Sequence, residues 1–162
     1  MEHVFLETKV LWSQIDANMH LRHSAYADFA AQARLDMLQH VGMSPEVLHQ
    51  EHIGPILFRE ETFYLREVRP NDTVRVTCLL SKCREDGSRW SFVQEIVRSD
   101  DVVAARILVD GAWIDMQRRK LVAPPADIAR QFLERVPRTA DFILEPNAPS
   151  KPQENEQITG TI

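Results

Sequence analysis

The chain has 162 residues, 44% hydrophobic and 27% charged, which is enough for one hydrophobic core, short for two, and too apolar for wholesale disorder. Its 19 Lys and Arg against 24 Asp and Glu leave a net charge of -5, which excludes a nucleic-acid binder built on a broad basic face. No apolar run approaches the roughly 18 residues of a membrane-spanning helix, so no membrane insertion is expected. Only two cysteines occur, Cys78 and Cys83, and no secretory pattern precedes them, so the expectation is a cytoplasmic protein without disulfides.

In chain order, Val4, Leu6, Val10 and Trp12 repeat with a period of two, which predicts a strand over 4–12. A polar stretch from Ser13 to His23 follows, and then the period changes. Tyr26, Phe29, Ala30, Ala33, Met37 and Val41 recur at spacings of three and four, the pattern of a helix with one apolar face. Ser24 is the expected N-cap, and Gly42 lies where a helix stop is expected. Ser44-Pro45-Glu46 opens a short second helix.

Four extended segments come next, about Ile56 to Val68, Thr73 to Cys83, Ser88 to Arg98 and Val102 to Asp115. Pro70-Asn71-Asp72, Asp86-Gly87 and Asp100-Asp101 separate them, breaks short enough to predict antiparallel hairpins. Trp90, Phe92 and Ile96 share one strand face, and Val103, Ala105, Ile107, Val109 and Trp113 share another. A last helix is expected over Ala126 to Val136, between Pro124-Pro125 and Pro137. From Glu145 onward the chain is polar and proline-bearing, so the expected organisation is one domain over 1–144 and a disordered tail over 145–162. The class is α+β. One helix cannot cover both faces of such a sheet, so the sheet wraps the helix or meets a second copy, and a homo-oligomer, dimer or tetramer, is expected.

Chemistry concentrates in Asp16-Ala-Asn18-Met-His20-Leu-Arg-His23, just before the long helix. A carboxylate, an amide and two imidazoles there face the unpaired N–H groups of a helix start, a setting for acyl transfer in which the amides hold an oxyanion and the carboxylate attacks or activates water. The same residues also suit a plain turn, since Asp and Asn favour turns for local reasons. A calcium-loop reading fails because the sixth position from Asp16 is Leu21 and the twelfth is Ala27, where glycine and glutamate are required. His20 and His23, and His49 and His52, lack the glutamate of a zinc-protease helix. No metal and no cofactor are expected. Cys78 and Cys83 are an odd number of residues apart and predicted to face opposite ways on one strand.

The run from Trp12 through Asp16, Asn18, His20, Tyr26 and Phe29 to Arg34 resembles the opening of the hotdog-fold thioesterases, the group containing 4-hydroxybenzoyl-CoA thioesterase and the acyl-CoA thioester hydrolases. Its Asp-x-Asn-x-His core is also similar to the motif of plant acyl-carrier-protein thioesterases. The likeness continues through Pro70-Asn71-Asp72 and Arg119-Lys120 to Pro124-Pro125, covering about 4–132. It implies a long helix wrapped by a curved antiparallel sheet, and hydrolysis of an acyl-CoA, or of an acyl carrier protein, to free acid and thiol. Carried over by position, Asp16 takes the place of the catalytic aspartate, Asn18 and His20 those of the amide and imidazole, and the backbone N–H of His23 or Ser24 that of the oxyanion donor. Two positions depart from the pattern: His23 stands where many members have asparagine, and Ala31 where many have a helix-borne glutamate. Those departures motivate the alternative of a non-catalytic acyl-CoA or carrier-protein binding module. Tyr26, and the basic cluster Arg118-Arg119-Lys120, are the remaining candidates for contact with substrate or CoA phosphates.

Overall fold

The computed structural model describes residues 2–149. Its elements are β1 (Val4–Lys9), α1 (His23–His40), α2 (Pro45–Gln50), β2 (Ile53–Tyr64), β3 (Thr73–Thr77), β4 (Leu79–Arg84), β5 (Arg89–Arg98), β6 (Val103–Asp115), β7 (Lys120–Val122), α3 (Ala126–Arg135) and β8 (Arg138–Glu145), with a 3-10 turn at Trp12–Gln14. The expected tail falls, for residues 150–162, outside the described residues.

All eight strands join one open sheet. β5 is its spine, pairing antiparallel with β6 on one side and with β3 and β4, end to end, on the other. β2 lies beyond β6, and β1 lies beyond β3. β8 joins β4 in parallel, the one departure from antiparallel order. This is the hotdog fold: α1 packs across the concave face with Ala25, Tyr26, Phe29, Ala30, Ala33, Met37 and Leu38 buried. The helical period therefore identifies the packed face correctly. Each large apolar side chain placed there contributes about 1.5–3 kcal/mol relative to exposure.

Two local signals act as expected. The Ser44 hydroxyl accepts the Val47 N–H at 3.3 Å with Pro45 in the first turn of α2, and Gly42, at φ +87°, follows the end of α1 where a side chain would be strained. Others do not. The N-cap of α1 is Arg22, not Ser24; the helix starts two residues earlier because the Arg22 N–H is taken by the Gln14 carbonyl at 2.8 Å, and Ser24 instead accepts from Arg22 Nε at 3.0 Å. The first strand stops at Lys9, leaving Trp12 73% exposed. The strands β7 and β8 lie where no strand was expected.

The largest correction concerns the connection after β2. A hairpin at Pro70-Asn71-Asp72 is not formed, because β2 pairs with β6 and β3 pairs with β1 and β5. The chain instead crosses the end of the β5–β6 hairpin, where Leu65 and Arg66 both donate to the Ala104 carbonyl, at 2.8 and 3.0 Å. The cysteines are corrected by the same kind of detail. The strand is broken between Thr77 and Leu79 and its register shifts between Leu80 and Lys82, so Cys78 and Cys83 both turn inward and both are fully buried as free thiols. Burial pushes each of them up to about 12.

One buried polar network ties helix to sheet. Arg34 donates to Gln94 Oε1 at 2.7 Å, and Gln94, with no exposed surface, passes its own amide to the Ala30 carbonyl at 2.9 Å. Arg34 also borders an apolar cavity of about 170 Å³ walled by Met37, Leu38, Trp90, Phe92 and Phe132.

Candidate active site

The segment before α1 folds on itself. The Asp16 N–H donates to the His20 carbonyl at 2.9 Å and Met19 donates back to the Asp16 carbonyl at 3.1 Å, with Met19 at φ +61°. Asp16 Oδ1 takes the N–H of Asn18 at 2.8 Å and that of His20 at 3.2 Å. This is an aspartate turn, so the structural reading of Asp16 is correct for one carboxylate oxygen. The other, Oδ2, takes no hydrogen bond among the described residues and remains available.

Three elements meet at this turn to form a cleft of about 290 Å³, lined by Asp16, His20 and His23 from the loop and helix start, Tyr26 from α1, and Tyr64, Arg66 and Glu67 from the end of β2 and the crossing connection. The chain is clamped here: the Leu21 N–H donates to the Val68 carbonyl at 2.7 Å. His20 Nε2 lies 2.8 Å from Glu67 Oε2. The hydrogen bond from Arg69 holds the Glu67 carboxyl below the usual range, so it is ionised and accepting.

Tyr26 is buried and meets Tyr64 edge to face, with ring centroids 5.2 Å apart. Burial first, then the neighbouring Tyr64 and Asp16, push its hydroxyl up to about 12; it stays protonated at neutral pH and can donate. The Tyr64 hydroxyl donates to the His23 carbonyl at 3.2 Å. At the helix start, the N–H groups of His23 and Ser24 take no acceptor among the described residues, as the geometry of a helix N-terminus dictates. They add the positive end of an 18-residue helix to the cleft.

The structure thus gathers Asp16, His20, His23 and Tyr26 at one cleft. Asn18 sits beside it: its backbone N–H serves Asp16, but its side chain is exposed and does not line the cleft. Arg118, Arg119 and Lys120 are not brought near within one protomer. They follow β6 at Asp115, which is in register with Ile53, whereas the cleft lies where Tyr64 is in register with Ala105; ten strand residues separate the two ends, about 33 Å. Tyr64, Arg66 and Glu67 escaped the sequence reading because their segment reads as strand followed by a charged turn. No spacing rule links them to Asp16. Among the described residues no group of three or more His, Cys, Asp or Glu side chains could hold a metal ion, and no helix is long and apolar enough to cross a membrane.

Residues 10–132 match the model of the thioesterase-like superfamily. No curated protein matches the chain. Among solved structures, a hypothetical protein from Staphylococcus aureus characterised in complex with CoA is 18% identical, with 98% of this chain and 96% of that one covered and a TM-score of 0.75. The probable thioesterase YbaW from Escherichia coli is 20% identical over 83% and 99% of the two chains, TM-score 0.69. A 1,4-dihydroxy-2-naphthoyl-CoA thioesterase from Synechocystis is 14% identical over 80% and 94%, TM-score 0.69. At these identities the likeness concerns the fold.

Proposed function

Because the chain belongs to the thioesterase-like superfamily, we propose that it hydrolyses an acyl-CoA to the free acid and CoA at the Asp16 cleft. The observation that carries this reading is that one cleft is lined both by Asp16, one of whose carboxylate oxygens takes no hydrogen bond among the described residues, and by His23, the first residue of α1, where the unpaired N–H groups of His23 and Ser24 begin the helix. The carbonyl oxygen of the thioester is held by those N–H groups, which bind it more tightly as it gains negative charge; one such donor contributes about 3–4 kcal/mol in the transition state. Asp16 acts on the carbonyl carbon, either directly or through a water whose proton it takes. The C–S bond then breaks; on the water route the CoA sulfur leaves with the proton Asp16 has taken, and on the direct route the acyl group passes to Asp16 as an anhydride that a water then hydrolyses, giving the free acid and the thiol proton. Tyr26, kept neutral, donates to an oxygen of the substrate, and Asn18 supports the geometry by bonding Asp16 through its backbone.

CoA as the thiol carrier is supported by the CoA complex of the staphylococcal structure and by Arg66, a cation on the cleft wall. A homodimer is supported by β2, which pairs only with β6 among the described residues and whose Leu57, Phe58, Phe63, Tyr64 and adjoining Leu65 are exposed. A bare strand edge with apolar side chains favours pairing with a second copy.

The deciding experiment is free-thiol release from a panel of aliphatic and aromatic acyl-CoAs by the wild type and Asp16→Asn. Turnover by the wild type and loss of at least about a hundredfold in the variant support the assignment. Thermal stabilisation by acyl-CoA without any thiol released would favour a binding module instead.

A further inference from the structure

The Glu67 carboxylate is fixed before it reaches His20. Its Oε1 takes two hydrogen bonds from Arg69, from Nε at 3.1 Å and Nη2 at 2.9 Å, and its carbonyl takes Arg98 Nη1 at 2.9 Å. The remaining oxygen, Oε2, lies 2.8 Å from His20 Nε2. An ionised carboxylate only accepts, so at this distance it favours the imidazole proton on Nε2. The other ring nitrogen, Nδ1, has no protein partner among the described residues, and the ring lines the same cleft as Asp16. In a neutral imidazole the nitrogen that donates fixes the other as acceptor.

We propose that Glu67 is a positioning residue that holds the neutral His20 ring as its Nε2–H tautomer, leaving Nδ1 as an accepting nitrogen for water or substrate in the Asp16 cleft. The geometry stands by itself; the consequence for turnover rests on the thioesterase reading above. His20 Nδ1 receives a hydrogen bond and orients its donor, and proton transfer stays with Asp16. Without Glu67, the ring is free to rotate or to adopt the other tautomer, which presents a donor where an acceptor is needed. The crossing connection is what makes this possible, since it carries Glu67 from the end of β2 onto the loop before α1.

The test combines nitrogen-15 NMR of the His20 ring, at alkaline pH where imidazole is neutral, with steady-state thiol release for the wild type, Glu67→Leu and Glu67→Gln. Leucine removes the acceptor. Glutamine keeps the shape, but its amide either donates or accepts and so dictates neither tautomer. The expected result is the Nε2–H form in the wild type and mixed tautomers in both variants, with kcat lowered about ten- to a hundredfold and KM changed by no more than about twofold. An Nδ1–H wild type, variants with an unchanged tautomer, or mixed tautomers with unchanged kcat in a wild-type background that is active would each overturn it. If the wild type hydrolyses no acyl-CoA, the thioesterase reading fails, and the NMR comparison still decides whether Glu67 sets the tautomer.

Discussion

The Tyr64 hydroxyl at the end of β2 donates to the His23 carbonyl in the first residue of α1, across 3.2 Å and 41 residues of chain. It links the edge of the sheet to the start of α1, where His23 lines the cleft. Tyr64→Phe removes the bond and keeps the ring that packs on Tyr26. At this exposed position the cost to stability is about 0.5–1 kcal/mol, read as a shift in the denaturant midpoint. Turnover falls more than stability does, because the helix start loses one of its restraints; equal wild-type and variant kcat would show that the link is structural only.

Asp16 has two separable duties. Asp16→Asn retains an oxygen for the Asn18 and His20 N–H groups, so the variant unfolds at nearly the wild-type temperature while its thiol release is lost. Asp16→Ala loses both bonds and is in addition destabilised by about 1–2 kcal/mol, the scale of a lost cap. Comparing the two by calorimetry and kinetics separates the turn from the chemistry.

Gly111 is required by a close approach between strands and indole. A Cβ there would lie 2.5 Å from the Ile56 carbonyl oxygen and 2.6 Å from Trp90 Cζ2. Because one of these neighbours is backbone, the sheet cannot yield cheaply, and Gly111→Ala is expected to cost about 3 kcal/mol or more. Soluble yield and chemical denaturation measure it.

Both thiols and the Tyr26 hydroxyl are raised to about 12, from ordinary values of 9.0 and 10.0. All three are neutral when protonated, so the unfolded chain loses its protons first on going alkaline. Their stabilising contribution is complete below pH 9.0, and is lost as pH rises through about 12. Denaturant midpoints should therefore fall steadily above pH 9.0. At pH 8 the native protein should leave both cysteines unreactive toward a disulfide reagent, and denaturant should expose two thiols at once.

The β2 edge makes a prediction about assembly. Phe63→Lys and Leu65→Lys place charge on the exposed apolar edge without touching the core, and each should convert a dimer to monomer in sedimentation velocity. A wild type that sediments as a monomer would remove the dimer from the proposal.

Periodicity made the α1 face legible because a helix that covers a sheet must place an apolar side chain there every three or four residues, and Tyr26 to Met37 do so. The Asp16 loop was legible because its residue types are chemically dense and adjacent in sequence. The cysteine orientation failed for a local reason, since a break and a register shift in one strand reset the alternation on which it relied.

The sequence by itself determined the α+β class, the packed face of the helix and the place of the candidate carboxylate, all of which depend on neighbours a few positions apart. Tertiary structure alone decided which strands pair, that the chain crosses from β2 to β3 rather than turning back, and that Glu67 consequently reaches His20. It also decided that Arg118, Arg119 and Lys120 lie at the far end of the sheet from the cleft. Strand pairing is set by burial summed over the whole sheet, and no local pattern in a strand names its partner.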